Sequence, residues 1–265
     1  MATTIVELKK PKLRNPLFIE GLPGVGNVGR IAAGYLIEEL GAEKFAELFS
    51  SHFMPFVLLH QSSAVHMLKN EFYYWEAKKR GQRDLIILIG DSQSVDPEGH
   101  YEIVEKILEY VKGFGVKEII TLAGLSIGEQ KENPKVIGAA SSLEIVKKYK
   151  RFNINFEASS KVGTIVGASG LLIGLCKYYD MEGVCLLGET AGLPLIPDPK
   201  SAEVVLEVLT KILNIKIDTS KIQKKVKEME EFIKKVEDVQ RRAIRQLLKT
   251  RAPKESKKEE LSYIG

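Results

Sequence analysis

The chain has 265 residues, 44% hydrophobic and 28% charged, with a formal net charge of +4. That length suits one large domain or a domain with an appendage, and the apolar share is enough for a full core. No apolar run approaches the roughly 20 residues that span a bilayer, and the start, MATTIVELKKPKLRNP, lacks an apolar block followed by a small-residue cleavage site, so a membrane protein is excluded and a cytoplasmic one expected.

Charge is unevenly spread. Residues 220–265 carry 14 Lys or Arg against 8 Asp or Glu, and the preceding part carries 25 against 27, so the basic excess belongs to the C-terminal arm. The two cysteines, Cys176 and Cys185, lie in apolar stretches, which predicts buried free thiols rather than a disulfide.

In chain order, residues 16–21 (PLFIEG) read as a short buried strand. The segment that follows, VGNVGRIAAGYLIEELG, sets Val28, Ile31, Ala32, Tyr35, Leu36 and Leu40 at helical spacing. Residues 45–78 are rich in aromatic and aliphatic side chains and predict strands joined by hairpins, with a turn candidate at Lys69-Asn70. Alternation there puts Phe72, Tyr74 and Glu76 on one face and Tyr73, Trp75 and Ala77 on the other. DLIILIG (84–90), EIITLAG (118–124) and GVCLLGE (183–189) are continuous apolar runs, the pattern of strands covered on both faces. Helices are predicted over 98–113, 168–178 and 200–213, and a strand over 153–156. The fold class is therefore α/β: a three-layer α/β/α domain over 1–218 with a mostly parallel sheet plus an antiparallel hairpin region.

The arm follows a different rule. Ile222, Val226, Met229, Ile233, Val236, Gln240, Ala243 and Leu247 recur at alternating steps of four and three, a narrow seam interrupted once by Gln240. Such a seam predicts a heptad-patterned helix over 219–250, either pairing in a coiled coil or helical hairpin or lying on its own domain, with pairing favoured by the narrowness. Residues 251–265 form the last unit. RAPKESKKEE has almost nothing to bury and predicts a flexible tether, and it ends in the apolar tip ELSYIG.

Several motifs invite chemistry. Gly24, Gly26 and Gly29 match G-x-G-x-x-G between a predicted strand and helix, where backbone N–H groups can approach a pyrophosphate. A nucleotide-binding enzyme is thus one reading; the other is a structural turn whose glycines let the helix approach the sheet. The enzyme reading lacks the acid expected at the end of a following parallel strand, because Glu43 precedes the next apolar run and Glu47 sits inside it. Ser126 occupies a G-x-S-x-G, but all four histidines (His52, His60, His66 and His100) precede it, and a polar loop follows instead of a helix. No histidine pair has zinc-site spacing, so no metal is expected. His52 reads as lying alone on a strand, and Asp91 and Ser92 read as a loop cap. Acidic residues interleave with the basic ones in the arm and oppose nucleic-acid binding.

The run FIEGLPGVGNVGRIAAGYLIEELGAEKFAELFSSHFMP resembles the opening of the archaeal branch of the proteasome assembly chaperone family. LAGLSIGE, GASGLLIGLCKYYDMEGVCLLGETAG and PDPKSAEVVLEVL resemble its later blocks in the same order. The resemblance implies a non-enzymatic scaffold without cofactor, forming homo-oligomers, with the glycine turn structural. It also implies an assembly factor or ATP-independent activator whose C-termini enter pockets between α-subunits of the 20S proteasome through a hydrophobic-Tyr-any ending. The contact group becomes Leu261, Tyr263, Ile264 and the Gly265 carboxylate. Here Tyr263 is third from the end and Ser262 precedes it, a departure from that ending.

Overall fold

The computed structural model describes residues 3–59, 63–129, 131–157, 163–192, 197–222, 224 and 238. The short apolar runs become strands of one sheet. Its order is β1 (Thr3–Glu7), β3 (Glu43–Ser50), β6 (Asn70–Trp75), β7 (Leu85–Gly90), β2 (Leu17–Gly21), β8 (Glu118–Ser126), β10 (Glu182–Thr190) and β9 (Val136–Ala140). β7, β2, β8 and β10 run parallel through the middle, and antiparallel pairings add β6, β3 and β1 on one side and β9 on the other.

Why those runs are apolar throughout follows from what covers them. Leu17, Ile19, Leu85, Ile87, Ile120, Leu122, Val184 and Leu186 point to one face, against α1 (Val28–Leu40), α5 (Pro199–Leu213) and the short α3 (Leu143–Tyr149). Phe18, Ile86, Leu88, Ile119, Cys185 and Leu187 point to the other, against α2 (Pro97–Lys112) and α4 (Ala168–Leu175). Each residue finds a helix whichever way it points, and burying one such side chain contributes about 1.5–3 kcal/mol. Alternation in β6 also sorts as expected, with Phe72 in the second core and Trp75 in the first. Both cysteines are buried and free.

α2 and α5 begin alike because both open on Asp-Pro. The proline sits where its missing N–H costs nothing, and the preceding aspartate caps: Asp96 accepts from the Gly99 N–H at 2.7 Å and Asp198 from the Ser201 N–H at 2.9 Å. Asp198→Ala should cost about 1–2 kcal/mol in urea unfolding, while Asp198→Asn, which keeps an accepting oxygen, should stay within about 0.5 kcal/mol of wild type.

Three elements had no counterpart in the sequence reading: β1, β9 and α3. β9 is VIGAA, too rich in Gly and Ala to carry a strand pattern, and α3 has seven residues, too few for a clear period. The strand expected over 153–156 is corrected to a single bridge, Asn155 to Ile137. Asn155 accepts from the Gly138 N–H and donates to the Val136 carbonyl, covering the outer edge of β9. Lys69-Asn70 is not the tip of a hairpin. Leu68 and Lys69 instead lead from a separate two-stranded sheet, β4 (Val57–Leu59) with β5 (Val65–Met67), into β6.

Candidate functional site

The chain leaves β2 at Gly21 and enters α1 through a one-turn 3-10 segment, Val25–Asn27. The three motif glycines meet different constraints. Gly24 is extended and a Cβ on it would meet nothing within 4 Å. Gly26 has φ +62°, and a Cβ there would press on the Thr190 hydroxyl and Asp198; its carbonyl accepts from the Asp198 N–H at 2.8 Å, tying the turn to α5. Gly29 rests on β8, where an added Cβ would lie 2.0 Å from the Leu122 carbonyl oxygen. Gly124 repeats the arrangement from the strand side, its Cβ position 2.2 Å from the Val25 oxygen. Gly21 of β2 also meets the Gly29 backbone, so the turn, helix and sheet backbones touch through Gly21, Gly29 and Gly124.

Beside this turn, at the C-terminal ends of β2 and β8, lies a cleft of roughly 530 Å³ lined by Gly24, Val25, His100, Gly124, Ser126 and Val166, among others. Open α/β sheets usually keep ligand crevices at this end of their strands. Part of its polar wall is engaged within the fold: Gln93 donates to the Pro23 carbonyl and accepts from the Ala168 N–H. Ser169 donates to Glu20 at 2.9 Å, and Glu20 also accepts from the Leu22 N–H at 2.8 Å. Glu20 is completely buried, and burial pushes its carboxyl up to about 7. The sequence carried one signal for it, a lone acid inside the apolar run LFIEG.

The remainder of a dinucleotide unit is not assembled around the turn. β6 and β7 stand between β2 and β3, so the strand after α1 is not the neighbour of the strand before it. Its acids are engaged elsewhere, Glu43 with Lys9 and Glu47 with Lys44 and Lys69. Ser126 ends β8, and Ile127 donates its N–H to the Thr190 carbonyl; the next regular element is the strand β9, so the strand-turn-helix of a nucleophile elbow is not formed.

Two readings of single residues are corrected. His52 is neither on a strand nor alone: it lies in the turn after β3, with Nδ1 2.9 Å from Asp96 and Nε2 3.3 Å from Glu102. The hydrogen bond to Asp96, chiefly, raises its pKa despite partial desolvation. Asp91 is more than a loop cap. It is buried at the end of β7, 3.2 Å from the Arg30 guanidinium and 2.6 Å from His66 Nε2, and so fastens the β4–β5 hairpin and α1 to the sheet. Sequence reasoning missed that cluster because its members are 61 and 25 residues apart. Ile222, the first residue of the heptad seam, is buried in the domain core. The other seam residues, and the contact group Leu261, Tyr263, Ile264 and Gly265, lie outside the described residues.

The model for the family described as PAC2 matches residues 18–237, from the first core strand into the arm. The chain belongs to the PAC2 family. An uncharacterized protein of Methanocaldococcus jannaschii is 38% identical over 253 residues, 96% of this chain and 93% of its own. The crystal structure of Pyrococcus furiosus PbaB, an archaeal proteasome activator, is 44% identical with a TM-score of 0.80, covering 89% of this chain and 99% of that one. P. furiosus PbaA, an archaeal homolog of proteasome-assembly chaperone, is 31% identical with a TM-score of 0.71, covering 89% and 96%. The resemblance read from the opening block and three later ones agrees with this match, which runs from β2 onward and takes in both the glycine turn and the cleft. No helix among the described residues is long and apolar enough to cross a membrane.

Proposed function

We propose that this chain is a non-enzymatic, cytoplasmic proteasome assembly chaperone or ATP-independent activator that binds the α-ring of the 20S proteasome through C-terminal tails displayed on a homo-oligomer. The observation that carries this is its similarity to PbaB, an archaeal proteasome activator, over nearly that protein's whole length. In this reading the domain of residues 1–218 is the scaffold, the heptad-patterned helix 219–250 the stalk and 251–265 the tether and tip. Leu261, Tyr263 and Ile264 supply apolar contacts, and the Gly265 carboxylate supplies a charge. The glycine turn is structural in this reading: Gly26 is packed against Thr190 and tied to Asp198, and the strand after α1 does not adjoin β2, which favours a packing turn over pyrophosphate binding.

Physical chemistry sets what such tails can do. A five-residue tip buries little surface and loses conformational freedom on docking, so one tail binds weakly. Several tails on one oligomer act at high effective concentration, and weak contacts become a retained complex. A tether of about 14 residues reaches up to roughly 45–50 Å when extended, far enough to find separate pockets on a ring.

Removal of residues 261–265 should lower retention on purified 20S particles by tenfold or more while leaving the oligomer's mass by light scattering unchanged. Retention equal to that of the full chain would refute the tail mechanism.

A further inference from the structure

Between Phe53 and Leu68 the chain carries no Asp, Glu, Lys or Arg, although 28% of its residues are charged. Uncharged stretches of that length belong in a core, yet this one forms the β4–β5 hairpin on the surface. Leu58 on the inner face is buried and His66 reaches Asp91, while the outer face consists of Val57, Leu59, Val65 and Met67, exposed by 49%, 61%, 66% and 57%. Exposed neighbours in the same stretch, Pro55, Ser63 and Ala64, are uncharged as well. A two-stranded sheet is marginal on its own, and here one face has a covering layer and the other has none within the described residues.

We propose that the outer face of the β4–β5 hairpin is a self-association surface that packs against the same face of a second copy of this chain. This rests on the reading that the chain forms homo-oligomers, and names the surface that joins them. The register supports self-packing. Val57 lies opposite Met67 and Leu59 opposite Val65, so small and long side chains alternate on a two-by-two grid. For either two-fold axis lying in the plane between two such faces, along the strands or across them, each valine meets a leucine or methionine of the other copy. That match of small to long is what interdigitation requires, and an isologous contact requires a self-complementary patch.

Area and charge point the same way. The four side chains expose on the order of 400 Å², the scale of the largest functional patch on a soluble monomer. Pairing removes about twice that, and the rim of Pro55, Phe56, Ser63 and Ala64 brings the total toward the lower end, about 1,200 Å², of specific interfaces. A face without charge offers nothing to an acidic or basic partner, and interface centres are depleted in charge and enriched in methionine.

The test uses full-length chains. One variant carries Leu59→Glu and Met67→Glu, a second Leu59→Lys and Met67→Lys; each residue is exposed, and circular dichroism confirms the fold. Each variant alone should show about half the wild-type mass by light scattering, and an equimolar mixture should return to the wild-type mass, because each introduced charge faces a valine and has opposite charges of the other copy beside it. Unchanged mass in either variant, or a mixture that does not reassociate, would overturn the hairpin assignment while an oligomeric wild type keeps the self-association reading intact. A monomeric wild type would overturn both and leave the face to another occupant, such as the chain's own arm or a different protein.

Discussion

Gly29→Ala is expected to destabilise the domain by about 3 kcal/mol or more, whereas Gly24→Ala in the same motif should change stability by less than about 0.5 kcal/mol. Alanine in a helix is ordinarily better than glycine by about 0.5–1 kcal/mol, so propensity alone predicts a gain at Gly29. Packing reverses the sign. The new methyl would sit 2.0 Å from the Leu122 oxygen and 2.8 Å from its carbonyl carbon, both backbone atoms of a central strand that cannot rotate away. α1 must lift off the sheet, which opens contacts made by Val28, Ile31 and Ala32 in the first core. At Gly24 the same methyl meets nothing within 4 Å, and the backbone there is extended. Urea unfolding of both variants checks this. Equal, small effects would mean that the motif is not a packing device, and would revive a ligand-based reason for its glycines.

The contrast bears on how much was legible in the sequence. Period and composition were sufficient for the α/β layers, because a residue such as Ile86 or Ile87 must be apolar wherever helices cover both faces. The layers were thus readable from LFIEG and LIILIG, while the family was reached by resemblance of the run from FIEGLPGVGNVG and of three later blocks, and the PAC2 match over residues 18–237 agrees with it. Elements without a strong period were not readable: β9 pairs with β10 and Asn155 and buries Val136 and Ile137, but two large apolar side chains in VIGAA are too few to show a period. Nor was the Arg30–Asp91–His66 cluster, since nothing local to any of the three residues announces the other two. The motif itself was legible as a turn, but spacing could not say that Gly29 touches Leu122 while Gly24 touches nothing; that depends on where β8 runs.

Glu20 should reveal its burial through pH. Its carboxyl is held near 7 by desolvation, against an ordinary value of 4.5, with hydrogen bonds from Leu22 and Ser169 opposing the rise. The folded state therefore keeps a proton that the unfolded chain releases between about pH 4.5 and 7. Over that window the folded state binds more protons, so raising the pH lowers stability; below it the group contributes no slope, and above it the loss is complete. A shift of this size corresponds to about 3 kcal/mol. Nearby Cys185 does not offset it, because burial pushes that thiol up to about 12 and it stays neutral. Glu20→Gln keeps the shape, an acceptor for the Leu22 N–H and a polar partner for Ser169, but has no proton to lose. Subtracting the stability of wild type from that of the variant removes the background of other titrating groups. The difference should grow by about 2.5 kcal/mol in favour of the glutamine variant between pH 5 and pH 8, with most of the change before pH 7.5. A difference that stays flat across that range would show that the carboxylate is solvated or paired in the folded protein, and that the centre of β2 is not a dry environment.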